Sequence, residues 1–370
     1  MKSAAELDSA DALAAYPSQF LRSDEVVAYL DGNSLGRPLI ASRDRIAAFV
    51  ESQWADRLIR GWDETWLDLP LRTGDDLARV ALGAAAGQTT IGDSTTVLLY
   101  KLIRAAAAAR PGRAELVIDR DNFPTDRYVV EGIAAELGMS IVWIDAHDAV
   151  TAESVSAVVT DQTAVVILTH VAYRSGYLAD AAAITRVAHE AGALIVLDVC
   201  HSVGSVPIEL DAWGVDLAVG CTYKYLNGGP GAPAFAYVRT ELQGELRQPI
   251  QGWIGSATPF EMGQGYRPAA GIRGFLSGTP PVIGMLAMQD MIALIDAVGL
   301  VPVRAKSIEL TEFAIELADE LLPDAVLSTP REPRLRGSHV TLDDPAFADL
   351  MPRLWARGVI PDFRRPSGIR

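Results

Sequence analysis

The chain has 370 residues, 49% of them hydrophobic and 21% charged, a balance that excludes a disordered protein and gives length enough for two or three domains. Its 32 basic residues against 47 acidic ones leave a net charge of −15, which excludes nucleic acid as the main partner, because phosphate contacts need clustered Lys and Arg. Two cysteines, Cys200 and Cys221, exclude a disulfide framework or a Cys/His zinc site, and the lack of any apolar run near ~18 residues excludes a membrane span, so a cytoplasmic location is expected.

The first forty residues read as a short helix followed by a turn-rich loop, "YLDGNSLGRP" at 29–38. A helical stretch carrying Trp54, Trp62 and Trp66 comes next. From there strands and helices alternate. "STTVLLYKLIRAAAAAR" (94–110) predicts a helix with hydroxyl residues at its N-terminus and Pro111-Gly112 as its stop. Residues 115–119, 140–146, 164–170, 193–202, 216–221 and 234–239 read as buried strands, with helices predicted over 126–138 and 181–192. Near-continuous apolar strands separated by helices predict an α/β fold with a mostly parallel sheet covered on both faces. Beyond about residue 285 the pattern shifts to long helices and the short strand-like "GSHVTL", which predicts a smaller C-terminal α/β domain.

Ligands in such sheets bind beyond the carboxyl ends of the strands, and Asp119, His170, Asp198 and Lys224 fall there. Asp198 follows four apolar residues, so its carboxylate is expected to be buried and to need a cation or a strong donor. Taken alone, it also fits a loop-capping carboxylate, and His201 fits a hydrogen-bonded core histidine. Lys224 lies at the end of the next strand. A partly desolvated lysine forms Schiff bases, and a buried Asp keeps the pyridine nitrogen of pyridoxal phosphate protonated. "GDSTT" (92–96) places Thr95 and Thr96 at a helix N-terminus, where backbone N–H groups and hydroxyls hold a phosphate, although an ordinary N-cap looks the same. Phe123, after a strand, is placed to stack on a ring. Together these residues supply each part of a pyridoxal-phosphate site.

The blocks "YLDGNSLGRP", "NFPTDRY", "LDVCHSVGSVPIELDAWGVDLAVGCTYKYLNGGPG", "PIQGWIG", "YRPAAGIRGFLSGTPP" and "GVIPDFRRPSGIR" resemble the kynureninase family of fold type I (aspartate aminotransferase-like) enzymes, in order from about residue 29 to the last. The resemblance implies a large domain (61–285) with a mostly parallel seven-stranded sheet, an N-terminal arm (1–60) packing on the small domain, and a small domain (286–370). Because the family pattern runs on past Arg370, it also implies that this small domain is incomplete. It implies a pyridoxal-phosphate-dependent hydrolase that cleaves L-kynurenine to anthranilate and L-alanine in tryptophan catabolism, on the route to NAD biosynthesis, with the preference between L-kynurenine and 3-hydroxykynurenine left open. Lys224 is then the Schiff-base lysine, Asp198 the pyridinium partner with His201 beside it, and Tyr223, Thr95 and Thr96 the phosphate ligands. Phe123 stacks on the ring, and Asp126 and Thr169 contact the cofactor. Trp253 and Thr279 reach the phosphate from the second subunit of a homodimer, whose active site lies at the interface. Arg370 binds the substrate carboxylate as a bidentate pair, with Asn33 and Trp62 in the substrate pocket. Tyr223 is also expected to relay a proton at the carbonyl or Cβ, with a phenol pKa lowered near the phosphate.

A cysteine desulfurase needs a nucleophilic cysteine well after the lysine, and none follows Cys221. An aminotransferase of the same fold shares the Lys, the Asp and a late Arg, and stands as the alternative. A dinucleotide oxidoreductase needs a glycine turn after its first strand, whereas "GGPGAP" (228–233) precedes a strand.

Overall fold

The apolar runs of the sequence form one seven-stranded sheet in the computed structural model, which describes residues 2–147, 149–261, 263–366 and 368–370. Its strands are β1 (Thr89–Ile91), β2 (Glu115–Asp119), β3 (Ser140–Ile144), β4 (Thr163–Thr169), β5 (Leu194–Asp198), β6 (Leu217–Gly220) and β7 (Phe235–Val238). They lie in the order β1-β7-β6-β5-β4-β2-β3, and only β7 runs against the rest. Six of the seven answer to the predicted runs. The unread one, β1, is three residues long and carries Thr89 and Thr90, which are polar yet buried between neighbours.

Both faces of the sheet are covered, which is why its strands read as unbroken apolar runs. Along β5, Ile195 and Leu197 enter one core cluster while Leu194 and Val196 enter the other. The first cluster is sealed by helix Ala181–Glu190 through Ile184 and Ala188, the second by helix Thr95–Ala108 through Leu98, Leu102 and Ile103. The register aligns the carboxyl ends of the central strands: Thr169 pairs with Asp198, and Asp198 with Val219. The chain therefore delivers Thr169, Asp198 and the segment leading to Lys224 to one edge of the sheet.

The stretch containing the three tryptophans is helical but not one helix. Helix Ile40–Ala48 passes into wide π-type turns at Phe49–Ala55 and Trp62–Trp66, interrupted at Leu58, whose φ is +51°. Helix Val282–Val298 packs Met285, Met288, Ile292 and Ile295 into the large sheet's core. It gives way at Gly299 (φ +83°) to helix Leu300–Leu321. Beyond it, the segments Phe363–Arg364, Gly368–Ile369, Leu342–Asp343 and Val326–Leu327 form, in that order, a small antiparallel sheet. The N-terminal arm adds Ala28–Tyr29 as a parallel partner to Val359–Ile360. Among the described residues no single helix is long and apolar enough to cross a membrane.

Candidate active site

Asp198 ends β5 and is buried, its Oδ1 accepting the backbone N–H of Cys200 at 2.7 Å. Beside it stands Asp126, in the first turn of helix Pro124–Leu137 and 1% exposed. Burial, followed by the Asp198 carboxylate, pushes the pKa of Asp126 well above the usual carboxylate value, with Lys224 acting the other way. The shift favours the neutral carboxyl, for which the Asp198 side chain is a hydrogen-bond partner, while no donor faces Asp126 Oδ2 among the described residues. A buried acceptor left open in this way is costly, and it marks where a donor belongs.

Four lysines occur in the whole chain: Lys2, Lys101, Lys224 and Lys306. Lys2 pairs with Glu309, Lys101 with Asp93 and Lys306 with Asp11. Lys224 alone has no carboxylate within ion-pair distance among the described residues, although it is 8% exposed. Its Nζ lies 3.3 Å from Nε2 and 3.5 Å from Nδ1 of His201, and 5.9 Å from the ring centres of both Phe123 and Tyr223. Burial, then Lys224, holds the His201 pKa well below the ordinary histidine value, so a neutral imidazole faces the amine.

The backbone after Lys224 is clamped by the N-terminal arm. Gly36 donates its N–H to the Tyr223 carbonyl at 2.8 Å, and Asn227, at φ +49°, donates from Nδ2 to the Arg37 carbonyl at 2.6 Å. A Cβ on Gly36 would stand 2.4 Å from the Lys224 carbonyl oxygen, so only glycine permits this approach.

A cavity of about 90 Å³ opens over these groups. Asp126, Asp198, His201 and Lys224 line it, with Thr95, Thr96 and Tyr223 at its hydroxyl-bearing side and Phe123 and Thr169 along its wall. Ser94 caps the helix that begins at Thr95, leaving first-turn N–H groups directed toward this mouth. The sequence reading missed Asn122, which is buried and ties the wall together. Its Oδ1 accepts from the Thr169 hydroxyl and from the Phe123 N–H, both at 2.7 Å, and its Nδ2 donates to Asp119 at 2.8 Å. Tyr173, Thr125 and Cys200 also line the cavity unforeseen, and Tyr173 meets Phe123 edge-on at 5.3 Å. Nothing local in the sequence marks them.

One expectation fails on its physics. Burial, then the neighbouring Cys221 and Cys200 thiols, raise the Tyr223 pKa above the ordinary phenol value. A nearby phosphate would push the same way, since an anion disfavours phenolate; Tyr223 is a neutral O–H donor.

Arg370 is buried beyond the cavity and follows the last strand of the small sheet. Its Nε donates to Asp362 at 2.9 Å, Nη1 to the Tyr173 carbonyl at 2.8 Å, and Nη2 to both Ser34 at 2.9 Å and Asp362. Asn33, with its amide oxygen turned toward the guanidinium, stands 3.2–3.3 Å from all three nitrogens, a position over the plane rather than along one N–H. One Nη1 N–H is left for a ligand, so this arrangement does not offer the expected bidentate fork. Trp62, Trp253 and Thr279 cluster apart from the cavity: the Trp62 and Trp253 rings are 5.9 Å apart, and Trp253 Nε1 donates to the Thr279 hydroxyl at 3.4 Å. None of the three lines the cavity of this chain.

The donor set fits pyridoxal phosphate. The open Asp126 oxygen and buried Asp198 suit a protonated ring nitrogen, the helix N-terminus with Thr95, Thr96 and Tyr223 suits a phosphate, and Lys224 has no carboxylate at ion-pair distance among the described residues.

Comparison with known proteins agrees. Residues 91–357 match the Aminotransferase class-V family model. The chain is 39% identical to the kynureninase of Pseudomonas fluorescens and 38% identical to that of Burkholderia pseudomallei strain 1106a, in each case over 98% of this chain and 88% of the relative. Among solved structures, the cysteine desulfurase of Thermococcus onnurineus NA1 superposes with a TM-score of 0.79 at 17% identity, covering 98% of this chain and 88% of that one. A C-DES variant with glycine covalently linked to its PLP cofactor superposes at 0.81, also at 17% identity, covering 92% of this chain and 90% of that one. These distant likenesses establish the α/β fold, while the nearer relatives decide the membership: the chain belongs to the kynureninase family, within the class-V aminotransferases.

Proposed function

We propose that this protein is a pyridoxal-phosphate-dependent hydrolase that cleaves the Cβ–Cγ bond of L-kynurenine, giving anthranilate and L-alanine in tryptophan catabolism. The observation that carries the reading is Lys224, without an acidic partner among the described residues, set in the same cavity as the Asp198–Asp126 floor.

Pyridoxal phosphate, when bound, supplies an electron sink for charge developing at the substrate's Cα and Cβ. Asp198 would keep the cofactor's nitrogen protonated, with Asp126 beside it in the cavity. Thr95, Thr96 and the Tyr223 hydroxyl would hold the phosphate, and Phe123 and Thr169, the latter tied to Asn122, would flank the ring. The Lys224 amine would take the proton from Cα, and neutral His201 would keep it in place without adding a charge. Water adds to the γ-carbonyl: its oxygen ends in the anthranilate carboxylate, while Cβ gains a proton. The neutral Tyr223 O–H is the donor on this path.

Trp253 and Thr279, displaced from the cavity of their own chain, are read as contributions to the site of a second copy, with Trp62 at the same junction; the protein is proposed to be a cytoplasmic homodimer. We read the boundary between large and small domains as lying near Gly299, because helix Val282–Val298 still packs on the large core. Holoenzyme given L-kynurenine and no keto acid should release anthranilate and L-alanine one to one over many turnovers. Stalling after a single turnover would instead identify an aminotransferase.

A further inference from the structure

Lys101 sits on helix Thr95–Ala108 and is 1% exposed, although its side chain ends in an ammonium. That ammonium donates to the Asp93 carboxylate and, at 3.1 Å, to the Phe275 carbonyl. Burial pulls the Lys101 pKa down, and the bond to Asp93 pulls it back up. An apolar side chain of similar length would pack here with no charge to desolvate, and exchanging buried ion pairs for such residues is often neutral or stabilising. Stability alone is therefore a poor reason for this pair, and the reaction path does not touch it.

Asp93 is the residue before the Ser94 cap, and its φ of +54° lies in the left-handed region. That conformation is disfavoured for a residue with a Cβ and persists where surrounding contacts hold it. The backbone on either side is tied to the start of β7: Gly92 donates its N–H to the Ala234 carbonyl, and Ala234 donates to the Asp93 carbonyl, each at 3.0 Å. The reversal at Asp93 sets Ser94 to cap the Val97 N–H and presents Thr95 and Thr96 at the cavity. The bond from Lys101 spans eight residues, so the helix holds its own entry turn by a side chain from its second turn.

We propose that Lys101 is a positioning residue for the cofactor: its anchorage of Asp93 fixes the turn from Asp93 to Thr96 in the shape that receives the phosphate. This rests on the proposed function only in that pyridoxal phosphate binds in the cavity with its phosphate at Thr95 and Thr96. Without the anchor, the Asp93 carboxylate is free to leave its contact for solvent and the left-handed turn relaxes. The hydroxyls and N–H groups then no longer converge before the anion arrives. The loss falls on preorganisation of the phosphate end, and the lysine end at Lys224 is left as it was.

The test titrates full-length protein stripped of cofactor with pyridoxal phosphate and, separately, with pyridoxal, which lacks the phosphate. Both are read by visible absorption. Lys101→Met should weaken pyridoxal phosphate about tenfold or more, since hydrogen bonds to charged groups are the strong ones, and leave pyridoxal within about threefold. At saturating pyridoxal phosphate, kcat should stay within about threefold. If Lys101→Met does not fold, Asp93→Ala and Asp93→Asn carry the test from the exposed end of the pair. Asp93→Ala removes the anchor and should show the same selective loss. Asp93→Asn keeps an acceptor for Lys101 and tolerates the left-handed turn, and should stay within about threefold. Unchanged affinity for pyridoxal phosphate in Lys101→Met, or equal weakening of both compounds, overturns the proposal. So does an Asp93→Asn variant that falls as far as Asp93→Ala, or a wild-type protein that binds pyridoxal as tightly as pyridoxal phosphate. A wild-type protein that binds no pyridoxal phosphate would overturn the cofactor reading and this proposal with it. Binding without anthranilate release would overturn only the kynurenine reading, and the cofactor titrations would still decide the role of Lys101.

Discussion

Asp126 and Asp198 meet on the floor of the cavity as an unequal pair, with Asp126 pushed toward its neutral form by burial and by the charge of its neighbour. The inequality assigns them different work. Asp198→Asn removes the negative charge facing the cofactor ring and should lower kcat on the order of 100-fold or more. Asp126→Asn replaces a neutral acid by a neutral amide and should stay within about tenfold. Steady-state anthranilate release from both variants checks this, and equal losses would contradict the assignment.

Tyr223 should behave as an acid that does not titrate in the working range. Because its pKa lies above the ordinary phenol value, the wild-type kcat profile should show no limb from this residue below about pH 10. Tyr223→Phe should lose about 10²–10³ in kcat at saturating cofactor, the usual scale for a positioned proton donor. Turnover unchanged by the substitution would remove Tyr223 from the proton path.

The contact of Gly36 with the Lys224 carbonyl predicts a defect far from any ligand. Gly36→Ala places a methyl 2.4 Å from that oxygen and 2.6 Å from Asn227 Cγ. The clash should cost about 1–3 kcal/mol of stability and shift the lysine's turn. Urea unfolding and cofactor affinity would both register it. A variant as stable as the parent would mean that the arm does not hold this position.

Acidification should destabilise the cofactor-free protein before its carboxylates are generally neutralised. Burial lowers His170 to about 4 and His339 to about 3, and puts His201 well below its ordinary value. Below about pH 6.5 these histidines charge in the unfolded chain but not in the folded one, so unfolding takes up protons and stability falls with pH. Asp126, raised rather than lowered, binds its proton more firmly in the folded chain than in the unfolded one, and so opposes the trend by up to one proton. The net uptake of two to three protons gives a loss on the order of 3 kcal/mol per pH unit between about pH 6 and 5. Urea midpoints across that interval test it; a flat or rising stability would contradict the buried neutral histidines.

Much of the frame was readable because parallel strands buried on both faces must be apolar throughout, as in β2 and β5. Asp198 and Lys224 stood out because each broke such a run at its end. Residues that act through distant contacts left no local trace. Asn122 matters because Thr169 and Asp119 converge on it. The bidentate use of Arg370 was a sound expectation for an isolated guanidinium. Asp362, Ser34 and Tyr173 overturn it by occupying four of its N–H groups. Strand β1 was missed because its threonines are polar by type and buried only by tertiary packing.

The central claim is that Lys224 carries the cofactor, and four lysines make it directly measurable. Holoenzyme reduced with borohydride and digested should carry the pyridoxyl group on the peptide containing Lys224, and Lys224→Ala should lose both that label and the visible absorption band. Label on Lys101, Lys2 or Lys306, or a band that survives Lys224→Ala, would contradict the account.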